Sequence, residues 1–325
     1  MTYLPNCCII RSKVAKMKSS SIDWDKLSKD YIDDGKFNQK FPVSPYRPDT
    51  MVPFPGYIEN KQHPFTELYL AAKDKDGNIT DKFAGSDSYN TFKKNLKTQP
   101  SDWKYRTKEV TYNKNSSGYR TYEWDQIDWK NSIVLFGCSC TYGIGLAEDE
   151  TIATHIEKLT GKQVVNLGFP GGSNKLIIDN SASLIKNFEM PYAVVINWTT
   201  TDRTRFYHEK GYHDIGPWDS FIKKDKIPVN SKFPIVGSKY WSNIFYNPSN
   251  ELAMNYYWST YADAIFLNRT NYIKLSLFES SAHATRSDTF IKMDNDSRDL
   301  VHPGEQTSIK VAEYVANKLN EMDNT

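Results

Sequence analysis

The sequence predicts a three-layer α/β fold, with helices covering both faces of a parallel sheet, and three observations lead there. Short β-branched runs, SIVLFG (132–137), QVVNLG (163–168), YAVVIN (192–197) and YIKLSLF (272–278), recur with helical patterns between them. The first three are mainly apolar rather than alternating, as expected of strands buried on both faces. The first three open into loops of Gly, Ser, Thr or Asn, the texture of strand ends where the backbone turns and ligands gather.

In chain order, residues 1–60 mix Lys, Ser, Asp, Asn and Pro without a sustained period. Prolines in FPVSPYRPDTMVPFPGY (41–57) forbid helix interiors and favour extended chain, so this stretch reads as an N-terminal arm. Residues 61–130 read as an accessory segment packed on the domain formed by the rest of the chain. Within it PFTELYLAA (64–72) is patterned as a short helix, and KEVTY (108–112) and YRTYEW (119–124) flank the turn-rich NKNSSG (113–118) as the two arms of a β-hairpin.

Residues 131–325 form the α/β domain, its strands alternating with crossover helices. EDETIATHIEKLTG (148–161) has acids in its first turn and Gly161 just past its end, matching the helix dipole and a left-handed C-terminal cap. SNKLIIDNSASLIKNF (173–188) starts at Ser173 or Asn174 as N-cap, and EQTSIKVAEYVANKLNEM (305–322) closes the chain as an amphipathic helix. Residues 203–248 read as a long irregular connection rich in Pro, Gly, Tyr and Trp, the kind of loop that often carries function.

Composition narrows the partners. Over 325 residues, 41 basic against 39 acidic side chains give a net charge of +2, which supplies no strong field for a polyanion and argues against nucleic acid. No run of about 18 apolar residues occurs, and Cys7-Cys8-Ile9-Ile10 is too short for the core of a secretory signal. No membrane partner is therefore expected, and the location reads as cytoplasmic. The four cysteines come as Cys7-Cys8 and Cys138-x-Cys140, close pairs that suit neither a disulfide framework nor a tetrahedral zinc site. Free thiols, no metal and no cofactor are expected.

Three segments carry the chemistry. Ser139 stands two residues past a strand, between Gly137 and Gly143, which permit a tight strand-to-helix turn. A serine so presented can aim its hydroxyl into a cleft while its N–H faces a developing oxyanion; the plainer reading is a turn serine that caps the next helix. Asn166-Leu167-Gly168-Phe169-Pro170-Gly171-Gly172 follows the next strand, where a glycine exposes a backbone N–H. Asp299-Leu300-Val301-His302 precedes the last helix, where the histidine can reach the serine and the aspartate can hold its other ring nitrogen.

Together these residues resemble the ordered blocks of the SGNH/GDSL hydrolase family over residues 131–325. Gly137-Cys138-Ser139-Cys140-Thr141-x-Gly143 is similar to the nucleophile block, Asn166-x-Gly168-x-x-Gly171 to the glycine block, and Asp299-x-x-His302 to the C-terminal block. Asn115-Ser116-x-Gly118-Tyr119-Arg120 is similar to a segment preceding the nucleophile strand in related proteins, phage-encoded ones among them. The resemblance implies a flavodoxin-like sheet and a serine esterase without cofactor, with Ser139 as nucleophile, His302 as general base and Asp299 as its support. It also implies an oxyanion hole from the N–H groups of Ser139 and Gly171.

Two positions depart from the family pattern. Cys138 replaces the usual Asp beside the nucleophile. The third block, normally Gly-x-Asn-Asp, reads Asn197-Trp198-Thr199-Thr200-Thr201-Asp202-Arg203, so Thr199 stands where an amide donor is expected, with Asn197 as the alternative donor. Trp198, Asp202 and Arg203 are the candidate substrate contacts, an Asp202–Arg203 structural pair being the plainer reading.

The expected substrate is a small-molecule or glycan ester, most simply an O-acetyl group. Aromatic residues Tyr240-Trp241, Phe245-Tyr246 and Tyr256-Tyr257-Trp258 leave room for a carbohydrate surface. Competing readings are a lipase or thioesterase, and a fold-retaining structural or receptor-binding subunit of a phage particle or homo-oligomer. His155, His208, His213 and His283 carry no ligand spacing, and Asp294 and Asp296 lack the three-residue offset of Asp299 from His302.

Overall fold

The computed structural model of the chain describes residues 79–208, 211–216 and 247–324. The N-terminal arm, the helix expected at 64–72, Cys7, Cys8 and the aromatic residues at 240–246 lie outside the described residues.

The accessory segment contributes two short antiparallel strands, β1 (Ile79–Asp81) and β2 (Tyr112–Lys114), with helix α1 (Tyr89–Thr98) between them. The hairpin expected from 108–124 therefore does not form. Its turn does exist: Asn115 N–H donates to the Tyr119 carbonyl (2.8 Å), and Asn115 Oδ1 accepts from the Ser117 and Tyr119 amides. Beyond the turn, however, Tyr119 and Arg120 are buried instead of pairing back along β2. Arg120 donates to the carbonyls of Thr111, Gly143 and Leu146 at 2.9–3.0 Å, so its alternating neighbours reflect insertion into the protein. β2 finds its partner upstream, in β1.

The domain proper comes next. β3 (Ile133–Gly137) leads through the short helix α2 (Ser139–Tyr142) to α3 (Ile152–Thr160), β4 (Val164–Gly168), α4 (Asn174–Asn187) and β5 (Ala193–Trp198). The acids at 148–150 form a separate 3₁₀ turn, and Thr151 caps α3 by accepting from the Thr154 amide; Gly161 ends the helix with φ +67°. Ser173 caps α4. A hairpin of β6 (Thr204–His208) and β7 (Gly211–Ile215) replaces part of the irregular connection. Helix α5 (Pro248–Phe266), unanticipated from sequence, starts on an Asn247 cap with Pro248 in its first turn, where its missing N–H is no loss. β8 (Asn271–Ser276), α6 (Glu279–Thr285), the two-residue β9 (Thr289–Phe290) and α7 (Glu305–Asp323) complete the described chain.

The central sheet has the order β4-β3-β5-β8-β9, all parallel. That is the doubly wound 2-1-3-4-5 order, and it is the architecture that the resemblance implies. Alternate side chains divide between two dry layers. Val134, Phe136, Val194 and Ile196 meet α4 and α5, whereas Ile133, Leu135, Ala193 and Val195 meet α3 and α7. Each fully buried Val, Leu, Ile or Phe contributes about 1.5–3 kcal/mol, which fixes the sheet as a rigid platform. A third cluster joins Tyr105, Val110 and Tyr112 to Tyr142, Ile144 and Ala147, so the accessory segment packs against the loop after α2.

Candidate active site

In this strand order the chain winds from β3 outward to β4 and then crosses back to β5, so the crevice of the sheet opens at the carboxyl ends of β3 and β5. Ser139 follows β3 and Thr199 follows β5. The turn after β3 is tight because two glycines permit it. A Cβ on Gly137 would lie 2.0 Å from Thr141 Oγ1, and one on Gly168 would lie 2.3 Å from the Tyr142 amide, so α2 sits directly on the strand ends. Ser139 is the first residue of α2, where an N–H has no intrahelical acceptor.

The structure brings Ser139, His302 and Asp299 into one hydrogen-bonded line. Ser139 Oγ is 2.8 Å from His302 Nε2, and His302 Nδ1 is 2.8 Å from Asp299 Oδ2. A carboxylate can only accept, so Nδ1 carries the proton in that bond and Nε2 of the neutral ring is the acceptor for the serine hydroxyl. Leu300 adopts φ +59°, which lets the amides of Val301 and His302 both reach Asp299 Oδ1 at 3.1 Å. Ser297 Oγ donates to the same oxygen (2.6 Å) and Ser86 Oγ to Oδ2 (2.6 Å). Burial alone would raise the Asp299 carboxyl; the bonds from His302, Ser297 and Ser86, with the histidine's charge, outweigh it and hold the group well below the usual carboxylate range. Neither Asp294 nor Asp296 replaces it: Asp294 accepts from the Gly304 amide, and Asp296 packs beside that glycine.

The glycine block turns as Phe169-Pro170-Gly171-Gly172, closed by Gly172 N–H to the Phe169 carbonyl (2.9 Å), with Gly171 at φ +77° as the third residue of a type II turn requires. Asn166 ties this block to the serine turn by donating to the Thr141 carbonyl (3.0 Å). Within the third block, Asn197 Nδ2 donates to Thr141 Oγ1 (3.0 Å). The Thr199 hydroxyl is fully buried beside the Cys138 thiol, while its backbone is fixed by Asn174 and Ser281. Trp198, expected at the substrate, points the other way: it ends β5 in register with Val194 and Ile196 and is fully buried in the α4/α5 layer. Arg203 Nη1 donates to the Gly172 carbonyl (3.3 Å), and Asp202 Oδ1 is buried without a hydrogen-bond partner.

Beside these blocks, a cavity of about 400 Å³ is lined by Asn174, Lys175, Arg203, Glu251, Asn255 and Trp258 among others. Burial, and then the nearby charge of Asp202, raises the Glu251 carboxyl there. Cys138 and Cys140 are free thiols buried under the serine turn. Hydrogen bonding with Cys140, then the Arg203 charge and the Thr199 hydroxyl, outweigh burial and lower the Cys138 thiol, whereas the same Cys–Cys interaction and burial raise Cys140.

Sequence reasoning missed Ser86, Asp87, Ser297 and Arg298, which hold the Asp299 loop. A Gly-Ser-Asp-Ser turn ahead of a capped helix and an Arg-Asp pair before the histidine were the available signals. His155 lies partly buried near Glu305, and His283 lies on α6; neither approaches the line of three. Among the described residues no cluster of three or more His, Cys, Asp or Glu could hold a metal ion, and no helix is long and apolar enough to cross a membrane.

The fold and this arrangement define an α/β protein with a Ser–His–Asp line at the switch point of a parallel sheet. No protein-family model and no curated protein matches the chain. Solved structures that are similar include a G-D-S-L family lipolytic protein from Desulfitobacterium hafniense (13% identity, TM-score 0.33, covering 58% of this chain and 99% of that one). An acetyl xylan esterase from Butyrivibrio proteoclasticus is 10% identical (TM-score 0.36, 61% of this chain and 66% of that one). A carbohydrate esterase family 2 enzyme from Myceliophthora fergusii is 13% identical (TM-score 0.32, 60% and 67%).

Proposed function

We propose that the chain is a serine esterase that removes a small acyl group, most simply an O-acetyl group, from a glycan. The observation that carries the reading is the line from Ser139 Oγ through both ring nitrogens of His302 to Asp299, with 2.8 Å at each step. Ser139 Oγ attacks the ester carbonyl while its proton passes to His302 Nε2, and Asp299 stabilises the imidazolium that forms. The same proton then goes to the departing alkoxide, leaving an acyl-enzyme. Water attacks next, giving its proton to His302, and as the second tetrahedral intermediate collapses His302 returns that proton to Ser139 Oγ, whose bond to the acyl carbon breaks to release the carboxylic acid.

The N–H groups of Ser139 and Gly171 would receive the oxyanion, with Thr199 as the side-chain donor at the third block, since the Asn197 amide is engaged with Thr141. The glycan part of the reading rests on exposed aromatics of α5, Tyr257 and Tyr261, which offer the flat apolar faces that sugars stack upon. These platforms favour a glycan ester over the lipids or thioesters of a lipase or thioesterase.

A second reading is favoured by one observation, the replacement of the third block's amide donor by Thr199. A subunit of a phage particle or a homo-oligomer could keep the fold for structural or receptor binding after turnover had declined. Reaction with a fluorophosphonate followed by peptide mapping separates the two. Labelling at Ser139 that is lost in His302→Ala supports the esterase; a folded protein that takes up no label supports the second reading.

A further inference from the structure

The carboxylate that faces His302 has a second partner that belongs to none of the three sequence blocks. Ser86 Oγ donates to Asp299 Oδ2 at 2.6 Å and stands 3.3 Å from His302 Nδ1. It is carried by a two-residue turn, Gly85-Ser86, closed by reciprocal backbone bonds between Ala84 and Asp87 (3.0 and 3.1 Å). Gly85 has φ +58°, the conformation that the first central residue of a type II′ turn requires.

The turn is itself tied down. The next residue, Asp87, is fully buried and receives Arg298 through Nε (2.9 Å) and Nη2 (2.6 Å), together with the Tyr112 hydroxyl. Arg298 immediately precedes Asp299, and its carbonyl accepts from Asn95 of α1 (2.9 Å). The ion pair thus sets the distance between the turn and the loop, and Ser86 is delivered to the outer side of the carboxylate.

We propose that Ser86 is a positioning residue for the Asp299–His302 pair, supplied to the site by the accessory segment; the inference rests on the esterase reading for its consequence in catalysis. With Ser297 and two amides on Oδ1 and Ser86 with His302 on Oδ2, the carboxylate has no freedom to rotate. The Ser86 hydroxyl also draws charge from Oδ2, so the carboxylate steers the ring without overstabilising its imidazolium. The other charged groups of this loop are committed elsewhere: Arg298 to Asp87 and Asp294 to the Gly304 amide.

The test is the titration of His302, followed by NMR of its ring nitrogens in the full chain, in wild type, Ser86→Ala and Ser86→Thr. Losing the hydroxyl should raise the His302 titration by about half a unit to one unit, and Ser86→Thr should restore it. Ester turnover in Ser86→Ala should show kcat lower by about 10- to 100-fold at unchanged KM. Ser86→Gly removes the same hydroxyl should the alanine variant not fold. An unchanged or lowered titration in a folded variant, or one that threonine does not restore, overturns the proposal. The titration needs no turnover, so an inert wild type would defeat the esterase reading while leaving this test standing.

Discussion

The two loops that meet at the site are held by different forces. The serine turn is held by close approach and apolar burial: Gly137 and Gly168 admit α2 onto the strand ends, and Cys138 and Cys140 lie in the layer beneath it. The Asp299–His302 loop is held by charge. It has a left-handed Leu300, an aspartate with both oxygens engaged, and an Arg298–Asp87 pair whose partner lies more than 200 residues away in sequence. One side of the arrangement is therefore held mainly by packing and the other mainly by charge, so the two sides should fail in different ways.

Removing the nucleophile tests the part they share. Ser139→Ala should lower ester turnover by on the order of 10⁶-fold while leaving thermal unfolding nearly unchanged, because the substitution deletes only a hydroxyl; equal rates for the variant and wild type across acetyl esters would remove the esterase reading. The charge-held loop is the next largest effect. Asp87→Ala leaves Arg298 buried without its carboxylate and should cost about 3–5 kcal/mol of stability, read from denaturant unfolding, with loss of turnover following from displacement of Asp299.

Oxyanion donors divide along the same line. Thr199→Ala should lower kcat by about 10²–10³-fold, Thr199→Asn should preserve or raise it, and Asn197→Ala should instead show a stability loss through Thr141. A larger kcat loss in Asn197→Ala would reverse that assignment. For the packed turn, Gly168→Ala forces a Cβ against the Tyr142 backbone and should cost about 1–3 kcal/mol, a loss that should not depend on salt.

The smallest effect is in acid, and it concerns the charge-held loop alone. Because the folded Asp299 carboxyl lies below its unfolded value of about 3.9, its contribution is fully present above about pH 4 and is lost as pH falls through the folded value. Unfolding free energies measured from about pH 6 down to about pH 2 should therefore fall less steeply in Asp299→Asn than in wild type; parallel curves would show that the carboxylate gains nothing from its donors.

The parts legible in the sequence were those with a short-range signature. Non-alternating runs gave the strands, Ser173 and Gly161 gave helix ends, and Ser139 with the Asp299-x-x-His302 spacing gave the three residues that the structure aligns. Residues 119–124 misled because they look strand-like on paper, whereas Tyr119 and Arg120, adjacent in sequence, are both buried and Arg120 bonds carbonyls elsewhere in the protein. Helix α5 went unread because its aromatic and polar residues mark no clean stripe, although its Asn247-Pro248 start is a proper cap.

What the sequence determined by itself was therefore the layered sheet, its parallel sense, the serine turn after the first strand of that sheet and the Asp299-x-x-His302 spacing, because hydrophobic period, capping and turn chemistry act over a few residues. What engages Asn197 at the third block, and what holds Asp299, were decided only in three dimensions. Asn197 and Thr199 are both polar on paper, and only the approach of Thr141 commits the Asn197 amide. Ser86 and Asp87 acquire their roles from a turn that meets a loop far along the chain, and no local pattern records such a meeting.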